Sequence, residues 1–310
     1  MTADSLSSLS DSLFSVTVAL YSLAVVAFCA QLAFGRRPAR APELVGSGAP
    51  APRPEDAPAE DTSGRRWGVV AMALTILGAL TQAGVLLFRG LATDRLPWGN
   101  MYEFATATVL IAVVVYAVFA VRVPALRHLG LFVLAPVVLA LVLIGLFLYA
   151  DAGPLVAALR SRWLAVHVTT AILGFGIFFV SGIASVLYLL RSRAGAASGG
   201  LVSRLPSAAA LDRMAHRTAV FGFPIWTFAV MAGAIWAESA WGRFWGWDPK
   251  ETWAFIAWVV YAAYLHARTT AGWRGRPAAW VNALGLCVMV FNLLYVNMVS
   301  TGLHSYGGLK

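Results

Sequence analysis

Residues 129–150 read LGLFVLAPVVLALVLIGLFLYA, an uninterrupted apolar run that contains no charged side chain. An α-helix rises 1.5 Å per residue, so a run of this length extends about 33 Å and crosses the hydrocarbon core of a bilayer. The stretch therefore predicts a transmembrane helix.

Eight stretches contain the roughly 20 mostly apolar residues that a membrane crossing needs. They cover about 13–34, 67–89, 101–121, 129–150, 163–190, 217–238, 251–271 and 279–303. Hydrophobic residues make up 60% of the chain and charged residues only 12%, too few to cover a soluble domain of this size. We therefore expect an all-α polytopic integral membrane protein with about eight transmembrane helices.

The chain is predicted to have three parts. Residues 1–34 form an N-terminal transmembrane helix. Residues 35–66 are rich in Pro, Ala and Gly, a composition typical of a disordered tether. Residues 67–310 then form a seven-helix membrane domain.

The basic residues predict the orientation of these helices. Of the 23 Lys and Arg residues, sixteen fall in the connections after the first, third, fifth and seventh stretches, and seven fall on the other side. Cytoplasmic loops carry an excess of Lys and Arg, so the first set is expected in the cytoplasm and both termini outside it. This places the tether in the cytoplasm. Because the net charge of +9 is distributed in this way, we expect no nucleic-acid partner.

The predicted outward connection between the sixth and seventh helices is rich in tryptophan. Residues 236–253 read WAESAWGRFWGWDPKETW and contain five of the twelve Trp residues of the chain. Enrichment of Trp at membrane interfaces accounts for one or two of them. We interpret the cluster, with its two interspersed glycines, as a shelf for a flat and largely apolar macrocycle with a charged edge. Its candidate binding residues are Trp241, Trp245, Trp247 and Trp253.

Asp248 within this segment has two interpretations. The order Asp248-Pro249-Lys250-Glu251 fits an N-cap followed by proline at the first helical position and an acidic residue at the third. Asp248 is equally well placed to take part in ligand binding, and the sequence leaves both roles open.

Two histidines are predicted at the depth of the tryptophan shelf. His167 lies near the outer end of the fifth helix, and His304 lies where the eighth helix reaches the same surface. A lone histidine of this kind is usually a satisfied polar residue, but haem iron accepts an imidazole nitrogen on each face, so two histidines can hold one haem. The charged edge would be met by one of four cationic residues: Arg160, Arg162, Arg243 or Lys250.

His266 is expected near the cytoplasmic end of the seventh helix, about 22 Å from its outer end. It is a second candidate haem ligand, unless it only packs against another helix or extends to the membrane surface. His128 and His216 lie in or beside inner Arg-bearing connections and are expected to face solvent. Cys29 and Cys287 form no CxxC pair and are expected to be small buried side chains.

The run WGRFWGWDPKETWAFIAW at 241–258 resembles the WWD signature of haem-handling membrane proteins. Within that superfamily, residues 211–266 closely resemble the CcsA/ResC-type cytochrome c biogenesis proteins of System II, often labelled CcsB in Gram-positive genomes. The resemblance extends to GLHSY at 302–306, to His167 in WLAVHV and to PWGNMYE at 97–103, so it covers about 95–306.

This resemblance implies specific roles. His167 and His304 match the two external haem-ligating histidines that flank the WWD loop, and His266 matches the histidine that holds haem in transit across the membrane. The substrate would be haem b, conveyed across the plasma membrane and attached outside to the CxxCH motif of apocytochrome c. The family works with a ResB/Ccs1-type membrane partner, and a thiol-reducing protein is a further possible partner. His216 stands where many relatives carry Tyr, so it inherits no ligand role.

Two other functions remain open from the sequence. A CcmC-type protein shares the WWD shelf but loads haem onto a chaperone without ligation; such relatives are usually shorter and lack the GLHSY ending. A secondary transporter for another amphipathic solute would be expected to show paired repeats and broken helices, and neither is visible in the sequence.

Overall fold

The structure, a computed structural model, describes residues 1–34, 62–154, 159–194, 202, 205–270 and 272–304. Within these ranges the chain is helical and contains no β-strand. The main helices are α1 (Ala3–Phe34), α2 (Thr62–Thr93), α3 (Met101–Arg122), α4 (Gly130–Leu143), α5 (Arg162–Arg193), α6 (Ala208–Trp241), α7 (Pro249–Thr269) and α8 (Arg276–Met298). Each of the eight apolar stretches overlaps one of them, which confirms the all-α prediction.

Seven of the eight helices are long and apolar enough to cross a membrane, so the chain is a multi-pass membrane protein. The stretch at 129–150 forms α4 followed by one π-helical turn at Ile144–Leu148. The helix outside the seven is α7. Its 21 residues span about 31 Å, but charged residues in its first and last turns lower its apolar content.

Helices α1 and α2 form a close pair, as do α5 and α6, while α8 packs against α5 and α7. The largest core cluster contains residues from each of the first five helices and from the start of α6. A second cluster fills the space between α5, α6, α7 and α8. Phe178 of α5 and Tyr261 of α7 stack in this second cluster with 3.6 Å between ring centroids. The ends of α6 and α8 and the starts of α3, α5 and α7 lie at one end of the bundle, which we call the tryptophan end.

Three helices begin at the tryptophan end with a side-chain cap. Asn100 caps α3, Ser161 caps α5 and Asp248 caps α7, each accepting a hydrogen bond from a backbone N–H of the first turn. These caps satisfy N–H groups that a helix start otherwise leaves without a partner.

A buried carboxylate fixes the connection between α2 and α3. Glu103 is fully buried and accepts hydrogen bonds from Arg89 Nε (3.1 Å), Arg95 Nη1 (2.8 Å) and the Gly99 N–H (2.6 Å). Because a buried charge must be paired and hydrogen-bonded, this cluster holds residues 95–100 in one conformation at the tryptophan end.

The expectation for the two cysteines needs correction. Cys29 and Cys287 are exposed on the surfaces of α1 and α8 rather than buried, because the apolar environment expected for them is provided by lipid and not by the core. Residues 35–61 of the predicted tether lie outside the described residues. Helix α2 begins at Thr62, five residues before the predicted start of the membrane domain.

Candidate functional site

The tryptophan-rich loop, residues 242–248, connects α6 to α7. Gly242 ends α6 in the left-handed conformation with φ of 71°, which glycine adopts without steric cost. Trp247 also has a positive φ, 58°, and its side chain is 64% exposed. A non-glycine residue with a positive φ carries backbone strain on the order of 1–3 kcal/mol. The loop therefore holds Trp247 exposed in a backbone conformation that a tryptophan disfavours.

His167 lies in the second turn of α5 and packs against α6. Its Nδ1 is 2.8 Å from the carbonyl oxygen of Ala229, and a Cβ at Gly233 would lie 2.7 Å from the imidazole ring. The ring stacks on Trp236 with a centroid distance of 5.9 Å and an interplanar angle of 10°. Since a carbonyl oxygen only accepts hydrogen bonds, Nδ1 must carry a proton, and in the neutral ring Nε2 then carries the lone pair.

His304 follows the end of α8 and is held by the residue that caps α7. Its Nδ1 is 2.8 Å from Asp248 Oδ1, and the Leu303 N–H donates to Asp248 Oδ2 at 2.7 Å. Gly302 permits this approach, because a Cβ there would lie 2.4 Å from Asp248 Oδ2. Asp248 also accepts from the Lys250 N–H at 3.0 Å, so the two roles left open by the sequence are combined in one carboxylate.

The charge state of this pair follows from its surroundings. Burial lowers the pKa of His304 below its ordinary value, although the hydrogen bond with Asp248 acts in the other direction. Burial alone would raise the pKa of Asp248, but hydrogen bonds from His304, Leu303 and Lys250 hold it below its ordinary value. At neutral pH a neutral imidazole therefore donates from Nδ1 to a carboxylate, and Nε2 carries the lone pair, as in His167.

Both histidines line one cavity at the tryptophan end, with about 770 Å³ of empty space that includes open solvent. Its walls come from α3, α5, α6, α7, α8 and the tryptophan-rich loop. Its aromatic lining residues are Phe104, Phe175, Trp226, Trp236, Trp241, Phe244 and Trp245. Trp241 and Trp236 both contact the His304 ring edge-to-face, at centroid distances of 4.9 and 5.7 Å.

A second cavity of about 570 Å³ adjoins the first. The two share Phe104, His167, Trp236, Lys250 and His304 as lining residues. The second cavity is also lined by Trp98, Gly99 and Asn100, in the segment that Glu103 holds in place. The shared residues therefore form a wall with space on both sides.

A family model described as "Cytochrome C assembly protein" matches residues 98–304, which include both histidines, the tryptophan-rich loop and most of the cavity walls. This chain belongs to the cytochrome c assembly family. The curated protein "Cytochrome c biogenesis protein CcsA" of Guillardia theta is 37% identical over 260 residues, covering 76% of this chain and 85% of that protein. The CcsA of Gloeobacter violaceus is 33% identical over 301 residues, covering 78% and 86% respectively.

These matches confirm the resemblance to CcsA-type proteins and place this family member in cytochrome c biogenesis. A solved structure titled "Cytochrome c Heme Lyase CcmF" has a similar fold, with a TM-score of 0.58 at 17% identity. The similarity covers all of this chain, which spans about half (53%) of the CcmF chain.

The structure brings together some of the predicted site residues and separates others. His167, His304, Trp241 and Trp245 line the cavity, and Asp248 stands behind His304. Trp247 and Trp253 are not among the described lining residues: Trp247 is exposed, and Trp253 packs on Phe291 of α8 at 4.4 Å between centroids. The two loop glycines serve the loop itself, since Gly242 ends α6 and Gly246 makes room for the Arg243 guanidinium.

The other two histidines with described side chains lie at the opposite end of the bundle. His266 is in the last turn of α7, exposed, with Nδ1 3.2 Å from Thr270 Oγ1. His216 is partly buried beside Tyr264 rather than facing solvent as expected. Neither lines the cavity among the described residues.

Sequence reasoning missed part of the cavity wall on α6. Trp226, Ala229 and Gly233 were not predicted as site residues, and Trp236 was counted in the tryptophan cluster without being named as a candidate; all four line the cavity. Their spacing of three or four residues places them on one face of the helix, so a search for an aromatic and small-residue stripe facing α5 would have found them.

Proposed function

We propose that this chain binds haem b in the cavity between His167 and His304 and presents it for covalent attachment to the CxxCH motif of apocytochrome c. One observation carries the proposal. Two neutral imidazoles line the same cavity, and each donates from Nδ1 to a fixed acceptor, so that Nε2 of each carries the lone pair an iron ion takes. Acceptors of this kind fix the orientation and basicity of histidine ligands.

The rest of the cavity suits a porphyrin. Aromatic side chains on several walls offer flat apolar surfaces to a macrocycle and exclude water from it. The protein would contribute binding and orientation, while the attachment chemistry belongs to the haem and the acceptor. In that reaction each thiol adds its sulfur to one carbon of a vinyl group and its hydrogen to the other, so no oxidant is consumed.

The thiols for this addition must come from another protein. Cys29 and Cys287 are exposed on helix surfaces, and neither is among the described lining residues of the cavity. The proposed partners are therefore a CxxCH apocytochrome c and a thiol-reducing protein that keeps its cysteines reduced. The resemblance to CcsA/ResC-type proteins adds a ResB/Ccs1-type membrane protein to the proposed partners. We propose that the chain lies in the plasma membrane with the tryptophan end and both termini outside.

The direct test is the absorption spectrum of the detergent-purified protein. We expect co-purified or added haem to give the low-spin spectrum of iron held by two imidazoles. A monodisperse protein that carries no haem and takes up none when haem is added would refute the proposed function.

The proposed orientation predicts the outcome of cysteine labelling. Ser239 and Thr269 are exposed, near the tryptophan end and the opposite end respectively. With Cys29 and Cys287 replaced by alanine, Ser239→Cys should react with a membrane-impermeant maleimide on intact cells. Thr269→Cys should react only after permeabilisation, because the excess of Arg places its end of α7 in the cytoplasm. Labelling of both from the same side would contradict the orientation, and the cysteine-less background is the control.

Asp248 holds the His304 ring in addition to capping α7, and a substitution can separate the two roles. Asparagine caps helices about as well as aspartate, so Asp248→Asn should keep the cap of α7. Its side chain has one acceptor oxygen, so it cannot keep both the cap and the bond that the Leu303 N–H donates to the second carboxylate oxygen. It removes the carboxylate behind His304, and loss of such a partner typically costs about 10- to 100-fold in metal affinity. We expect a haem titration of the purified variant to show a loss of that size. Wild-type affinity in Asp248→Asn would mean that the carboxylate only caps α7.

A further inference from the structure

One cationic side chain, Lys250 in the first turn of α7, lines both cavities together with His167 and His304. We propose that its ammonium group binds a carboxylate of the macrocycle, a haem propionate, and thereby sets the orientation of the haem in the site. The inference rests on the proposed function, since it names the group that holds the charged edge of the same ligand.

The position of Lys250 is the first argument. Among the described residues that line the two cavities, it is the single Lys or Arg. Its Nζ donates to Asn297 Oδ1 on α8 and lies 5.9 Å from the centroid of the Phe104 ring. The ammonium is thus held at the wall that both cavities share.

The charge of Lys250 is the second argument. Asn297 is a neutral acceptor, and Lys250 makes no ion pair with a carboxylate within the described part of the chain. An ammonium group has three donors, so two remain beyond the one given to Asn297. A cation among apolar and aromatic walls is costly unless a negative charge is brought to it, and a ligand carboxylate supplies one.

The nearby protein carboxylates already have other partners. Asp248 accepts from His304 and from the backbone N–H groups of Leu303 and Lys250. Glu251 Oε2 accepts from the N–H groups of Gly246 and Asp248, at 2.9 and 3.0 Å. Asp248 and Oε2 of Glu251 are thus engaged in holding His304 and the loop, whereas Oε1 of Glu251 is buried without a hydrogen-bond partner. Within the described part of the chain neither carboxylate forms an ion pair with Lys250, which leaves its ammonium to the ligand.

The structure also separates Lys250 from the other cationic candidates. Arg243 lies over Gly246 with its Nη1 4.0 Å from Glu251 Oε2, and Arg162 is exposed at the start of α5. Neither of these, nor Arg160, is among the described lining residues of the cavities. Of the four cationic residues that the sequence offered for the charged edge of the ligand, Lys250 is therefore the one we propose.

Binding of a propionate by Lys250 would also orient the haem for its covalent attachment to the apocytochrome. In haem b the two propionates lie toward one edge of the porphyrin and the two vinyl groups toward the opposite edge. A propionate held at Lys250 therefore turns the vinyl edge, where the thiols add, away from the wall shared by the two cavities. The ligand class that fits is an iron porphyrin with a free carboxylate.

The test compares haem with haem dimethyl ester, in which both carboxylates are masked while the iron and its axial ligation are retained. Wild-type protein in detergent should bind haem about 10- to 100-fold more tightly than the ester, the range expected for one charge-assisted hydrogen bond. Lys250→Gln should lose this preference by weakening the binding of haem alone, and Lys250→Arg should retain it. Arg162→Gln, a matched loss of a cation outside the cavities, should behave like the wild type.

The outcomes distinguish the role of Lys250 from the proposed haem-binding function of the cavity. Wild-type protein that binds haem and its ester equally well would overturn the role of Lys250 without any variant and leave the proposed function intact. An equal loss of both ligands in Lys250→Gln would show that the lysine supports the fold of the site. Wild-type protein that binds neither ligand would overturn the haem site itself.

Discussion

Replacing His304 or His167 by glycine is expected to remove the two-imidazole spectrum from the purified protein and to stop cytochrome c assembly. The loss should exceed the roughly 10- to 100-fold typical of losing a partner behind a ligand, because here the iron loses the ligand itself. The two histidines come from separate parts of the chain, α5 and the segment after α8, and both line the same cavity.

Added imidazole should restore part of both the spectrum and the assembly. Glycine leaves empty the space that the imidazole ring of the histidine occupied. At His167 this space borders Gly233 of α6, which has no Cβ to fill it. Free imidazole can then occupy the coordination position. The control is His216→Gly, which removes a histidine from a helix at the opposite end of the bundle and should keep its haem. Unchanged two-imidazole spectra in both His167→Gly and His304→Gly would show that the ligands are wrongly assigned.

The second large effect concerns His266, which we propose holds haem in transit from the cytoplasmic side. His266→Ala should lower the haem-to-protein ratio at the intact cavity, and haem supplied from outside should refill it. His266 lies sixteen residues after Lys250 on α7, about 24 Å along the helix axis, so it is too far away to bind the same iron. The two sites would therefore be occupied one after the other.

The exposure of His266 makes this experiment informative. Replacement of an exposed residue usually changes stability by no more than about 0.5 kcal/mol, so His266→Ala should remain folded and monodisperse. Haem content can then be compared per folded protein, with His216→Ala as the control. A normal ratio in His266→Ala without external haem would exclude the transit role and leave the cavity at the tryptophan end as the single proposed site.

Much of the fold could be predicted because membrane helices are specified locally. A chain in lipid must satisfy its backbone hydrogen bonds within each segment, so apolar length alone predicts where helices lie. This is why 129–150 and 163–190 were located within a few residues of their helices. The order of the helices also places His167 and His304 at one end, because α6, α7 and α8 reverse the chain three times between them.

The inner composition of the site could not be predicted in the same way. Five tryptophans lie close together in the sequence between 236 and 253, yet Trp247 and Trp253 are not among the described lining residues of the cavity. Trp226, ten residues before the segment, lines it. Which side of α6 faces α5 is decided by the packing of the two helices. Gly233 leaves the space in which the His167 ring meets Trp236, and this contact has no counterpart in the local sequence.

By itself the sequence determined that this protein is a helical membrane protein with a tryptophan-rich loop and two histidines at one end. Only the tertiary structure decided that Asp248 caps α7 and also holds His304, and that Lys250 rather than Arg243 faces the cavity. The physical reason is that apolar length and capping act between residues near one another in the chain. The partner of a polar side chain is set by distances between helices that are far apart in sequence, such as the 2.8 Å between Asp248 and His304.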